Sequence, residues 1–143
     1  MQVRDAMTEA VTTVDPSAPL ADAARIMRDA NVGALPVQRP GADVEGILSD
    51  RDLVVRGMAE AASPDATRVE EIMSRDLVYC YDDEDVTGAA REMQQRGVRR
   101  VLVFERETDQ LRKILSLADI AVRSDDPEVA AIVLHDITRR RAA

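Results

Sequence analysis

An α/β (α+β) fold of two β-α-β-β-α units and a C-terminal helix is predicted by three features of the sequence: an internal repeat, an apolar stripe recurring at one spacing in both copies, and turn residues at matched positions. Shifting the chain by 66 residues lays Met7 on Met73, Leu20 on Val86, Ala23-Ala24-Arg25 on Ala89-Ala90-Arg91, Met27 on Met93, Val32 on Val98 and Val37 on Val103. One extra residue in the second copy makes the shift 67, so that Ile47-Leu48-Ser49 falls on Ile114-Leu115-Ser116, Asp52 on Asp119 and Leu53 on Ile120. Chance does not order apolar positions, small residues and a Ser-x-x-Asp pair in this way. The chain is a duplicated unit of roughly 60 residues.

Each unit reads alike. A β-prone stretch, Val11-Thr12-Thr13-Val14 or Leu77-Val78-Tyr79-Cys80, precedes a turn at Asp15-Pro16-Ser17 or Asp82-Asp83. A helix follows, with Leu20, Ala23, Ala24 and Met27, or Val86, Ala89, Ala90 and Met93, on one apolar stripe. Gly33 and Gly97 are expected to end these helices. Two strands come next, Ala34 to Gln38 and Val44 to Leu48, then Arg100 to Glu105 and Leu111 to Leu115 in the second copy. Arg39 to Asp43 is the turn-rich link of the first pair. A second helix opens at Ser49 or Ser116. The predicted organisation is a first repeat over 1–62, a linker over 63–68, a second repeat over 69–123 and a helical tail over 124–143. In the tail, Pro127 falls in the first turn, Val129, Ile132, Val133 and Ile137 form a stripe, and Arg139-Arg140-Arg141 sits at the negative end of the helix dipole. A helix packed on its own unit or its twin is the simplest reading of that tail.

Composition removes several function classes. With 19 basic and 27 acidic residues the net charge is −8, and only Tyr79, Tyr81 and Phe104 are aromatic. Such a surface repels phosphate backbones and offers little to stack on bases, which disfavours nucleic acid as a partner. The longest apolar run, Val129 to Leu134, is too short to span a bilayer, and the first residues lack a secretory pattern. A cytoplasmic protein without membrane association is expected. One cysteine, Cys80, and one histidine, His135, make no metal cluster. No nucleophile–base set or Gly-rich phosphate loop occurs, so an enzyme is not expected. Cys80 reads as a small buried hydrophobe and His135 as a surface or interface residue.

Two segments, Asn31-Val32-Gly33-Ala34-Leu35-Pro36-Val37 and Gly46-Ile47-Leu48-Ser49-Asp50-Arg51-Asp52, placed in this repeat, resemble a tandem CBS-domain pair, or Bateman module. The resemblance covers about residues 3 to 123 and is to stand-alone bacterial CBS-pair proteins associated with stress or energy sensing. It implies two repeats related by pseudo-two-fold symmetry, a homodimer packed through the second helices, and no covalent cofactor. It also implies an adenosyl ligand (AMP, ADP, ATP or S-adenosylmethionine) sensed on behalf of an unknown effector protein. The second copy departs from the family pattern at Leu102 and Lys113, where proline and glycine are usual. Those departures leave a ligand-free dimerisation or protein-interaction module open as the alternative.

Carried over residue by residue, the resemblance places the adenine edge at Thr13, Val14, Ala34 and Leu35 in the first copy, and at Tyr79, Cys80, Arg100 and Val101 in the second. Ser49 and Ser116 would donate to phosphate, and Asp52 and Asp119 would accept from ribose hydroxyls. Each pair lies where a strand yields to a helix, so free backbone N–H groups there would attract an anion. The same spacing also makes a plain N-cap, and both readings stand. Arg51 in the first copy, and Arg99 and Arg100 in the second, are candidate phosphate partners; Arg99 and Arg100 read equally well as solvated charges or partners for acidic neighbours. Lys113 either crowds the second cleft or adds a cation. Tyr79 and Tyr81 are expected on opposite faces of their strand, where core or interface packing is the simpler role and stacking of one of them on a base the alternative.

Overall fold

The computed structural model describes residues 1–7 and 11–142, with side chains to Arg139. The side chains of Arg140 and Arg141, which complete the basic end read from the sequence, lie outside the described residues. The chain divides into two compact units, Thr12–Leu77 and Met1–Val11 with Val78–Ala143.

In the unit Thr12–Leu77, helix α1 (Leu20–Ala30) is followed by the antiparallel strands β1 (Ala34–Gln38) and β2 (Val44–Ser49). Leu20, Ala23 and Met27 are buried as the stripe requires, but Ala24 is exposed. Asn31, not Gly33, ends α1: at φ 53° it is left-handed, and its N–H donates to the Arg28 and Met27 carbonyls. A short polar side chain tolerates that conformation. The expected first strand reduces to one parallel bridge, Val14 to Val37, since Val14 exchanges its backbone hydrogen bonds only with Pro36 and Gln38. On the far side of the hairpin Ser74 bridges Ile47. Helix α2 begins at Asp50–Asp52, widens to a π turn over Leu53–Gly57 and tightens to a 3₁₀ turn at Met58–Glu60.

The second unit repeats the plan with a three-stranded sheet, β3 (Tyr79–Tyr81), β4 (Arg100–Phe104) and β5 (Leu111–Ser116), in that order. β3 runs parallel and β5 antiparallel to β4. Helix α3 (Val86–Arg96) ends at Gly97, left-handed at φ 67°, as expected. Helix α4 (Leu117–Arg123) follows β5, and α5 (Pro127–Ala142) packs against α3 and α4 through Val129 and Ile132. Tyr79 and Tyr81 do not face opposite ways. Two apart on a strand they share a face, and their rings stand edge to face at 5.9 Å.

Sequence repeats and packing units are not the same segments. The 3₁₀ turn Val3–Ala6 lies in the core of the second unit, with Val3 fully buried beside Val86, Met93 and Ile120. Val69, Ile72 and Met73, which open the second repeat, complete the core of Thr12–Leu77. Fully buried aliphatic side chains such as Leu35, Leu48 and Leu115 anchor these cores at about 1.5–3 kcal/mol each.

Candidate functional site

Each Ser-x-x-Asp pair sits at a strand–helix junction and forms a reciprocal capping box. Asp52 N–H donates to Ser49 Oγ at 3.1 Å and Ser49 N–H to Asp52 Oδ2 at 2.9 Å. Both bonds recur at 3.0 Å between Ser116 and Asp119. Most of the junction amides are therefore engaged, contrary to expectation; Ala118 N–H, for which no acceptor is found among the described residues, is the exception. In the first unit Asp50 N–H donates to the Gly33 carbonyl, Arg51 N–H to Asp50 Oδ1, and Asp52 N–H to Ser49. In the second, Leu117 N–H donates to the Arg99 carbonyl and Asp119 N–H to Ser116. An anion at the first junction would meet side chains rather than backbone. The boxes leave that chemistry available: each serine accepts and keeps its own proton to donate, and each aspartate engages the serine N–H through one oxygen.

The candidates around the two boxes are placed differently. Val14, Ala34, Leu35, Val101 and Cys80 are buried, so only their backbones would meet a base edge; Thr13 is half-buried. Tyr79 is 54% exposed and packs edge to face on Phe104 at 5.8 Å. Arg106 lies over the Tyr81 ring at 4.3 Å. Arg51 is exposed beside Ser49. Arg100 is half-buried and directly opposite Ser116 in the strand register, which puts both side chains on one sheet face. It has no carboxylate partner among the described residues. The corresponding pair in the first unit is Ala34 with Ser49.

Two cations read as cleft candidates lie elsewhere. Arg99 turns to the C-terminal helix and donates through Nε to Asp136 Oδ2 at 2.8 Å. Lys113 pairs with Val103, whose neighbours on that face fill the core, so it stands on the side of the sheet away from Arg100 and Ser116. Burial, with Glu84 and Glu92 adding repulsion, pushes the Cys80 thiol up to about 12. Such a thiol is not a nucleophile. Sequence reasoning missed Asp136. Its only signal was the exchange of Gly33 for Arg99 between the copies, an arginine in need of a partner.

Two units of this plan, each with a capped strand–helix junction, define a duplicated small-domain module. The chain belongs to the CBS-domain family, whose model matches residues 3–58 and again 69–126, making it a tandem CBS pair. It is 34% identical over 138 residues to the CBS domain-containing protein YhcV of Bacillus subtilis, covering 96% of each chain. The crystal structure of Hypoxic Response Protein I with two coordinated zinc ions superposes with a TM-score of 0.74 at 31% identity, covering 87% of this chain and 99% of that one. A hexameric CBS-CP12 protein from bloom-forming cyanobacteria gives 0.76 at 31% identity, covering 87% and 68%. CBS pairs are regulatory modules. Among the described residues no three His, Cys, Asp or Glu side chains gather to hold a metal ion, and no helix is long and apolar enough to cross a membrane.

Proposed function

We infer that the protein is a ligand-sensing regulatory module that takes an adenine nucleotide or related adenosyl metabolite and passes its state to a partner protein. One observation carries the reading. Arg100, half-buried and without a carboxylate partner among the described residues, lies across from Ser116 beside the Ser116–Asp119 box. A cation, a hydroxyl donor and a carboxylate acceptor on one junction suit a ligand with phosphate and vicinal hydroxyls. The Ser49–Asp52 junction has the hydroxyl and the carboxylate, with exposed Arg51 as its cation, so it is the weaker phosphate site.

The second reading is a ligand-free self-association or protein-docking module. It draws on exposed apolar side chains of the second helices: Val54, Val55, Met58 (76% exposed) and Val122 (84% exposed). The hexameric relative shows that assembly occurs within the family.

Calorimetric and melting titrations with AMP, ADP, ATP and S-adenosylmethionine separate the two. A ligand at a hundred times its Kd stabilises the folded state by about 2.7 kcal/mol. Asp119→Asn keeps the cap but weakens the carboxylate acceptor, and is expected to lower affinity about tenfold with little change in unliganded stability. Flat titrations, with a dimer in sedimentation, would favour the second reading.

A further inference from the structure

Helix α5 is apolar on two sides. Its inner side, buried Val129 and Ile132 with half-buried Val133, packs on α3 and α4. On its outer side Ala130, Leu134 and Ile137 follow at i, i+4 and i+7, all exposed, Leu134 at 67%. Beside them Thr138 Oγ1 donates to the Leu134 carbonyl at 2.8 Å, so its hydroxyl is spent within the helix. A helix that packs on one domain alone keeps polar residues on its outer face, whereas this one carries a second apolar stripe there. Its charges stand mainly at its ends. Asp125, Asp126 and Glu128 lie at the start, Val129 to Leu134 carry none, and the sequence places Arg139-Arg140-Arg141 in the last turn.

We propose that the outer side of α5 is a self-association surface on which a second copy of this chain seats its own α5 antiparallel. A two-fold axis beside Leu134 lays Ala130 of each helix against Ile137 of the other, small against large, and Leu134 against Leu134. The same register brings the acidic start of each helix to the basic end of the other, whereas a parallel pair would set like charges together. No other occupant is needed to satisfy both the stripe and the charges. The surface belongs to a different helix from Val54, Val55 and Met58 of α2 and Val122 of α4, so it does not depend on them. With 16 residues α5 is about 24 Å long, a shorter contact than a standard interface offers, and the pairing is expected to be weak and reversible.

Sedimentation of the full chain over a concentration series, with cross-linking of Leu134→Cys under mild oxidation, tests this. Leu134→Asp, at an exposed position, is expected to raise the dissociation constant of self-association about tenfold or more. Asp125→Lys is expected to weaken association too, although it lessens the net charge of −8, because it sets a cation against the arginines. Leu134→Cys is expected to give an interchain disulfide, while the wild type gives none, its buried Cys80 thiol being pushed up to about 12. A wild type that stays monomeric to about 100 μM overturns the pairing and leaves the stripe to a partner of another sequence. Assembly that Leu134→Asp leaves unchanged overturns it as well, since that assembly runs through another surface. Stronger association of Asp125→Lys overturns the antiparallel order. Failure of Leu134→Cys to cross-link overturns the pairing even where Leu134→Asp does not fold.

Discussion

A methyl group on Gly46 would stand 2.6 Å from the Ser74 carbonyl oxygen and 2.7 Å from Met73 Sδ. The chain crosses there because Ile47 and Ser74 exchange both backbone hydrogen bonds at 2.9 Å, and one of the obstacles is backbone that cannot swing aside. Gly46→Ala is therefore expected to destabilise the protein by about 1–3 kcal/mol, the usual range for overpacking, as read by urea unfolding. A neutral substitution would show that the crossing yields. The repeat marked Lys113, at the matched position, as a departure, but not the reason glycine is needed in the first copy. That reason comes from Met73 and Ser74, which carry no periodic signal and come from the start of the other repeat. The aromatic pair failed for a plainer cause: strand period two puts Tyr79 and Tyr81 on one face, where they meet.

Helices were the most legible elements, since stripes such as Val86, Ala89, Ala90 and Met93 and the cap at Gly97 state period and end together. Short strands were the least legible, because Val11 to Val14 and Val14 alone look alike in composition while backbone pairing decides between them. The start of α5 was read from Pro127, but what secures it is electrostatic. Asp126 is held below its ordinary value of 3.8 by the Thr87 hydroxyl, and Glu128 below 4.5 by Arg91. Because both folded values are depressed, their contribution is complete above the ordinary values and is lost as pH falls through the folded ones. The N-terminal anchoring of α5 is thus expected to persist at pH 5 and to weaken below pH 3.8. Carboxylate chemical shifts followed by NMR check this, with Thr87→Val moving the Asp126 titration back upward. An Asp126 that titrates at its ordinary value in the wild type would refute the argument.

For the molecule as a whole, the repeat revealed two copies but not that each copy lends its opening segment to the other's core. Val3–Ala6 and Val69–Glu71 are single 3₁₀ turns, too short for a hydrophobic period to show. Their destination is a tertiary fact. It has a measurable signature: Val3→Asp would place a carboxylate among Val86, Met93 and Ile120, costing several kcal/mol. Exchange protection is expected to fall first over residues 78–133, while 12–77 keeps its own. Loss over 12–77 instead would mean that the opening turn belongs with the strands that follow it in sequence.

The exchange of opening segments also orders events during synthesis. The ribosome releases Val3–Ala6 before any of its core neighbours exist, and Cys80, Val86, Met93, Leu115 and Ile132 emerge only much later. Unit Thr12–Leu77 can close as soon as Met73 has cleared the exit tunnel, since its core partners are then all made. The Val3–Ala6 turn, translated well before its core partners, is among the last segments to be buried, and until then its apolar side chains are exposed.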